Sequence, residues 1–511
     1  MAANPESAAK RLSALLSGFD TTQPVPDLHV SDITNSSHKA SAGSLFVALQ
    51  GRVTHGIDFA IDAVQAGAIA VMYDARDEYC RQRIRLLGKQ IQTHWIGVDD
   101  LDRIHGEIAS RFYGEPSQSL TIIGITGTDG KTSVTQLITQ ALCRLDKLTA
   151  SIGTLGYGVG GNRQPATHTT PDAITLQSCL HQFRQQQCEY VVMEVSSHAL
   201  DQYRVNGCDF DIAVLTNLGR DHLDYHQTTQ QYAAAKARLF REFELSAKVV
   251  NADDDFGRSL CGETGAARLI RFSSKPCGDK DSLDNCAEVR LIKSGISDQG
   301  IWLQLESPVG KILANTGLIG RFNIENILAC ISALAALGFD REQIQHAVTG
   351  LQPIPGRMER FKGAIGRPVA IVDFAHTEQA LRSCLLSCRE YTSGKLWCVF
   401  GCGGERDQGK RKGMGRAAEQ LADHVIVTDD NPRTEDPAQI AHEILAGMSN
   451  PARATVIHNR LAAIEFALSA AGADDLVAIL GKGHEIEQII GHQRYPFSDR
   501  QVVQRILQVE S

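Results

Sequence analysis

Ile122-Ile-Gly-Ile-Thr-Gly-Thr-Asp-Gly-Lys-Thr-Ser133 is the stretch on which the fold turns. It begins inside an apolar, β-branched run, Leu120 to Ile125, which predicts a buried strand. The glycines predict a tight turn, and Val134 to Leu145 predicts the helix that leaves it. Strand, glycine turn and helix start together present backbone N–H groups and a positive helix end to phosphate. Lys131 can neutralise the phosphate charge and Thr132 can reach Mg²⁺. The general phosphate-loop pattern asks for glycine where Ile125 stands, so the match is to a shorter Gly-Thr-x-Gly-Lys-Thr form. An ordinary tight turn is the alternative. The agreement of all five features favours a nucleotide site at Gly127, Thr128, Asp129, Gly130, Lys131, Thr132 and Ser133.

Upstream of this stretch, Ser44 to Leu49, the helical run Phe59 to Ala66 and Ala68 to Met72 read as a compact α/β lobe, closed by the Gly/Pro cluster Tyr113 to Ser117. Downstream, Tyr190 to Glu194, Ile212 to Thr216 and Lys248 to Asn251 alternate with helical patterns, as parallel strands buried on both faces do. Phe272 to Asp298 reads as a loop before a strand pair near Ile301 to Glu306 and Ile312 to Thr316. Pro353, Pro355 and Gly356 suggest a hinge. Beyond it, Val369 to Asp373, Leu396 to Phe400, Val425 to Thr428 and Leu476 to Leu480 repeat the strand-helix rhythm. The expected fold is therefore α/β in three domains: a smaller N-terminal one over 1–115, a doubly wound phosphate-loop domain over 116–354, and a Rossmann-like one over 355–511.

The 511 residues suit about three domains. With 43% hydrophobic and 22% charged residues the chain is neither disordered nor collagenous. Its 51 basic against 59 acidic residues leave a net charge of −8, with no basic surplus for nucleic acid or anionic membrane. Thirteen cysteines without a C-x-x-C pair indicate reduced thiols. Cys384 with Cys388, and Cys398 with Cys402, have gaps zinc tolerates, but the first pair fits a helix and the second a strand end. Met1 to Leu16 lacks the apolar core of a signal peptide, and Ile327 to Phe339, the longest apolar helix candidate, falls short of the roughly 20 residues that span a bilayer. A cytoplasmic chain with no membrane insertion is expected.

Chemistry gathers where predicted strands end, as ligands do in open α/β sheets. Met193 to Leu200 offers Glu194 as a metal ligand. Thr216 to His226 offers oxygen and imidazole donors, with His222 and His226 open to a zinc pair, although no H-E-x-x-H accompanies them. His226 also fits a surface turn. Lys236, in Tyr-Ala-Ala-Ala-Lys-Ala-Arg, reads most simply as a solvated helix lysine. The stretches Pro355 to Glu359 and Gly401 to Arg411 fit anion clamps or solvated turns. Asp429 to Arg433 and Gly481 to Glu485 bring carboxylates, an amide and a guanidinium to one sheet edge, which suits a zwitterionic ligand. Cys402 and His484 read as structural.

In order along nearly the whole chain, Gly127-Thr-Asp-Gly-Lys-Thr-Ser133, His168-Thr-Thr-Pro171, Glu194-Val-Ser-Ser-His198, Asp221-His-Leu-Asp-Tyr-His226, Gly320-Arg-Phe-Asn323, Asp373-Phe-Ala-His376, Asp430-Asn-Pro-Arg433 and Gly481-Lys-Gly-His-Glu485 resemble the motifs of the Mur ligases, and among them the diaminopimelate-adding branch. The resemblance implies an ATP-dependent, amide-forming ligase of cytoplasmic peptidoglycan synthesis, with Mg²⁺, ATP, UDP-N-acetylmuramoyl-L-alanyl-D-glutamate and meso-diaminopimelate. It implies that Lys131 and the loop amides hold ATP phosphates, that Thr132, Glu194 and His222 bind Mg²⁺, and that Lys236 is carbamylated to N6-carboxylysine and supports the metal. Asn323 would lie by adenine, and Arg357 and Asp373 would reach ATP. Thr34, Ser36, Arg52, Val53, Thr54, His168, Thr169, Thr170, Ser196, Gln202 and Arg204 would contact the UDP substrate. Arg406, Asp430, Asn431, Pro432, Arg433, Gly481 and Glu485 would form the diaminopimelate pocket, Arg433 pairing with the distal carboxylate that lysine lacks.

Asp129, Ser133, Asn35 to Ser37, His168 and Phe374 depart from the commoner family residues, while Lys131, Glu194, His222 and Lys236 are kept. The chemistry implied is phosphorylation of the D-glutamate side-chain carboxylate to an acyl phosphate, then attack by the amine, with the third domain closing about Pro353 to Arg357. A lysine-adding ligase, a folylpolyglutamate-synthase-like enzyme and a phosphotransferase or non-catalytic nucleotide-binding protein are the alternatives.

Overall fold

A strand at Thr121–Thr126, a turn through Gly127 and Gly130, and a helix at Lys131–Arg144 form the predicted phosphate-loop unit. The structure is a computed structural model that describes residues 9–51, 54–166, 168–262, 265–275, 287–297 and 299–509. The two glycines are required where they stand. Gly127 has φ +151° and a Cβ there would fall 1.8 Å from Thr216 Oγ1; Gly130 has φ +83° and a Cβ would fall 2.7 Å from Asn326 Oδ1.

The chain forms two compact units. The first takes in residues up to Gly124, Lys147–Asp211 and Arg241–Leu245. It holds a four-stranded parallel sheet in the order Asp32–Thr34, Ser44–Ala48, Ala70–Asp74 and His94–Val98. Because strand side chains alternate, Leu45, Val47 and Met72 pack with Ile108 and Phe112 on one face, and Phe46 and Val71 pack with Ile57 and Ala63 on the other. Both faces are covered, as a parallel sheet demands. This unit also carries Thr149–Gly153 and Tyr190–Glu194, paired in parallel, with the hairpin Gly156–Val159 and Asn162–Gln164 on the free side of Thr149–Gly153.

The second unit carries Ile212–Leu215, Ala247–Asn251, Arg268–Ser273 and Val289–Ser297 in parallel, then an antiparallel meander through Gly300–Ser307 and Gly310–Thr316. The helix Asn323–Ala336 is buried nearly all round, packed on Ala247–Asn251, Arg268–Ser273 and Lys131–Arg144. A six-stranded sheet follows in the order Glu359–Lys362, Val369–Asp373, Leu476–Leu480, Leu396–Phe400, His424–Val427 and Ala454–Val456, parallel except for its first strand.

Val289–Ser297 corrects the expected loop, since it is a strand in which Val289 and Leu291 point inward between more exposed polar neighbours. The helical run expected from Phe59 opens as a 3-10 turn at Gly56–Phe59, and the strand expected from Ala68 runs over Ala70–Asp74. Cys384 and Cys388 are buried on the helix Glu378–Arg389, and Cys398 and Cys402 are buried at a strand and its exit. No helix among the described residues is long and apolar enough to cross a membrane.

Candidate active site

The phosphate loop is clamped from behind by the segment that follows Ile212–Leu215. Thr216 N–H donates to Thr126 O at 3.0 Å, Thr216 Oγ1 donates to Asp129 O at 2.6 Å, and Asp129 N–H donates to Asn217 Oδ1 at 3.0 Å. These bonds set the loop's shape before any ligand arrives. Lys131 curls back, its ammonium donating to Gly127 O at 3.0 Å and Thr128 O at 2.8 Å.

Lys236 converges on the same carbonyl. It lies on the helix Thr229–Arg241, is only 1% exposed, and its Nζ donates to Gly127 O at 2.6 Å while sitting 4.4 Å from the centre of the Tyr232 ring. Reading this residue as a solvated lysine is therefore corrected: the flanking alanines let the helix pack so closely that the amine is enclosed. Burial first, and the Lys131 charge second, push its pKa well below the ordinary lysine value. Tyr232 Oη lies 3.1 Å from Thr128 Oγ1, tying this helix to the loop.

His222, at φ +55°, opens the short helix Leu223–His226 beside Asp221, with Nε2 3.4 Å from Asp221 Oδ2. Burial works against ionisation of Asp221, but a hydrogen bond from His376 and the charges of His222 and Lys410 hold its carboxyl well below the usual range. His226 is buried against Tyr232 rather than in a surface turn. The one triad of metal-ligating groups among the described residues is His55, Asp77 and Cys80, and it includes neither His222 nor His226.

Arg357 reaches the loop, Nη2 donating to Thr132 Oγ1 at 2.9 Å, with its guanidinium 4.6 Å from the centre of the Phe374 ring. Asp373 spends its two oxygens on the N–H groups of Met358 (2.7 Å) and Ala375 (2.8 Å). Asn323 is similarly committed, donating to Ile319 O at 2.7 Å and accepting from Asn326 at 2.8 Å. Asn326, which the sequence reading passed over, touches the loop at Gly130.

In the first unit, Glu194 ends the strand Tyr190–Glu194. Its Oε1 accepts Thr154 N–H at 2.8 Å and its Oε2 accepts Thr154 Oγ1 at 3.0 Å. Thr154 Oγ1 lies 3.2 Å from Thr169 Oγ1, and Thr170 Oγ1 donates to Glu194 O at 2.8 Å and accepts Ser196 N–H at 3.1 Å. Arg204 donates to Thr170 O at 3.3 Å and to Gln202. Burial first, then Arg204, lower the pKa of His168. Thr169, Thr170, Ser196, Gln202, Arg204 and Glu194 thus form one connected cluster. Thr34 and Ser36 bond to each other, and Asn35 reaches Asp172 at 3.3 Å. Thr54 closes a turn on Gly51, while Arg52 and Val53 lie outside the described residues.

A further cluster of polar side chains lies at the carboxyl ends of the six-stranded sheet. Arg433, at φ +54°, donates through Nη1 to Gly404 O at 2.7 Å. Burial, then the neighbouring Arg406, lower its pKa. Asp430 Oδ1 accepts Asn431 N–H at 2.7 Å, and its Oδ2 lies against Gly481. Pro432 O lies against Gly404, and Asn431 Nδ2 donates to Glu485 Oε2 at 2.9 Å. Two guanidiniums and two carboxylates therefore line one sheet edge. Arg411, fully buried, joins Glu435 and Glu443 and braces the loop that carries Arg406.

The chain matches three family descriptions: "Mur ligase family, catalytic domain" over residues 29–113, "Mur ligase middle domain" over 125–334 and "Mur ligase, glutamate ligase domain" over 356–483. It is 44% identical to a UDP-N-acetylmuramoyl-L-alanyl-D-glutamate–2,6-diaminopimelate ligase of Alkalilimnicola ehrlichii, over 97% of this chain and 98% of that one. It is 43% identical to that of Pseudomonas aeruginosa, over 94% and 96%. A solved structure of a ligase of the same name superposes with a TM-score of 0.68 at 33% identity, covering 98% of this chain and 99% of the other.

Proposed function

The chain belongs to the Mur ligase family, and we propose that it is the ATP-dependent ligase that joins meso-diaminopimelate to UDP-N-acetylmuramoyl-L-alanyl-D-glutamate in peptidoglycan synthesis. The observation that carries the amino-acid assignment is that Arg406 and Arg433 both lie against Gly403, with Asp430 and Glu485 each hydrogen-bonded to the adjoining Asn431. Two guanidiniums suit a substrate with two carboxylates, and the acids suit its ammonium groups. Lysine would leave one of the two guanidiniums without its anion.

An amide cannot form from a free carboxylate at neutral pH without a better leaving group. The side-chain carboxylate of the D-glutamate attacks the γ-phosphorus of ATP, the bond to the bridging oxygen breaks, and ADP leaves an acyl phosphate. The amine of diaminopimelate attacks the acyl carbon, phosphate departs, and the amine gives up its proton. Gly127 to Ser133 supply backbone N–H groups for the phosphates, and Lys131, released from its loop carbonyls, supplies charge. Arg357 holds Thr132 in place.

Within the second unit the Thr132 hydroxyl and the His222 imidazole, with Lys236 as a carbamate, are donors that would hold Mg²⁺, and the family resemblance adds the Glu194 carboxylate. Bound, the ion neutralises phosphate charge. Two amines meeting on the single Gly127 carbonyl support carbamylation, because burial beside Lys131 favours the neutral, nucleophilic form of the Lys236 amine, and a carbamate there would offset Lys131. The cluster from Thr169 to Arg204, with Thr34 and Ser36, fits the UDP-linked dipeptide. Breaks between the matched segments at 113–125 and 334–356 support domains over 1–115, 116–354 and 355–511, about a hinge near Pro353 to Arg357.

The test is phosphate release with ATP, Mg²⁺ and the UDP-linked dipeptide, offering meso-diaminopimelate or L-lysine. Turnover with diaminopimelate, and a product heavier by one diaminopimelate residue, is expected. Preference for lysine would overturn the amino-acid assignment, and ADP formation without amide would overturn the ligase.

A further inference from the structure

Behind the amino-acid cluster lies a buried cation. Lys482 is fully buried at the exit of the strand Leu476–Leu480. Its ammonium donates to Asn431 Oδ1 at 3.0 Å and to Glu485 Oε2 at 2.6 Å. Asn431 Oδ1 also accepts Ile489 N–H at 2.9 Å, while Asn431 Nδ2 donates to the same Glu485 oxygen at 2.9 Å. The Asn431 amide is thereby engaged at both ends, and Glu485 Oε2 carries two donors. What remains for a ligand is Glu485 Oε1, on a side chain 32% exposed.

An ammonium is buried at a cost that only pairing and hydrogen bonding offset, and an unbranched apolar side chain would fill the same space without that cost. The cation therefore has to be explained by what it does to its partners. A glutamate at a pocket wall turns freely about its last torsions, and pinning one oxygen leaves the other in a single direction. Resting on the reading of this pocket as the amino-acid site, we propose that Lys482 is a positioning residue: it holds Glu485 so that Oε1 meets an ammonium group of the incoming amino acid, opposite the carboxylate-binding Arg406 and Arg433. Lys482 touches no substrate, and its effect passes through Glu485.

The experiment compares KM for meso-diaminopimelate, ATP and the UDP-linked dipeptide in the wild type, Lys482→Met, Glu485→Gln and the double variant. Lys482→Met raises KM for diaminopimelate about tenfold or more, the scale of one charge-assisted contact, and leaves the other two KM values within about twofold. Since both single changes remove one interaction, the double variant is no worse than Glu485→Gln alone. Lys482→Gln keeps a donor for Asn431 without the charge and is read in the same way should the methionine variant not fold. An unchanged KM for diaminopimelate, an equal loss for all three substrates, or single effects that multiply in the double variant would each overturn the proposal. Wild-type enzyme inactive with every amino acid would take the pocket reading down with it, whereas an active wild type with an unaffected Lys482 variant rejects Lys482 alone.

Discussion

Arg433→Met removes a guanidinium while keeping most of the side chain's bulk. In the structure one arm of that guanidinium is spent on Gly404 O at 2.7 Å, and burial and Arg406 both work against its charge. The cation is thus costly in the free protein and is compensated when a carboxylate binds. Losing a charge-assisted contact of this kind costs about 1.5–3 kcal/mol, or about 10- to 150-fold in kcat/KM for meso-diaminopimelate. Arg406 remains, which keeps the loss inside that window. The distal carboxylate is remote from the reacting amine, so the contact is equal in the ground and transition states and the change falls in KM with kcat nearly constant. For L-lysine, kcat/KM stays level or rises. Folding stability moves by no more than about 1 kcal/mol, because the lost bond to Gly404 is offset by relief of the Arg406 repulsion. The assay is competition between the two amino acids with products resolved by mass, alongside urea unfolding. An equal loss for both amino acids, or a fall in kcat at constant KM, would refute the reasoning.

Other residues give outcomes of different kinds. Lys236→Met lowers kcat by at least about 100-fold, the scale of a lost electrostatic group in phosphoryl transfer, and initial rates at saturating substrates check this. Arg460 and Asp499 form a fully buried pair, 2.7 Å apart, and Arg460 also donates to Leu480 O at 3.0 Å. Arg460→Met therefore destabilises by about 3–5 kcal/mol in urea unfolding, and adding Asp499→Leu recovers most of it. Cys80, its thiol pushed up to about 12 by burial and by Asp77, stays unmodified in native protein at pH 8 and reacts only after denaturation, as thiol alkylation and peptide mapping report.

The strands Tyr190–Glu194, Val369–Asp373, Leu396–Phe400 and Leu476–Leu480 were legible to the residue because each has at least four apolar residues in a row, the first two closed by an acidic residue. Val289–Ser297 was not, since Arg290, Lys293 and Ser294 interrupt its apolar residues and only pairing with Gly300–Ser307 makes it a strand. The phosphate loop was legible because its chemistry is local. Lys236 and Lys482 were not, because the Gly127 carbonyl and the Asn431 amide that enclose them lie 109 and 51 residues away, and an i,i+3 glutamate such as Glu485 accompanies solvated lysines as well. Motif resemblance singled out Lys236; Lys482 stood inside a quoted motif, and its role emerges only from the geometry around Asn431 and Glu485. Asp373 and Asn323 were singled out by motif resemblance for ATP, and their bonds to the backbone and to Asn326 were not legible, because those partners are set by the fold.

The most direct test of the account labels the side-chain carboxylate of the D-glutamate with oxygen-18 and follows the label in a complete reaction with ATP, Mg²⁺ and meso-diaminopimelate. An acyl-phosphate ligase transfers one labelled oxygen to the released phosphate and forms the amide in equal amount. Unlabelled phosphate, or labelled phosphate without amide, would contradict the account.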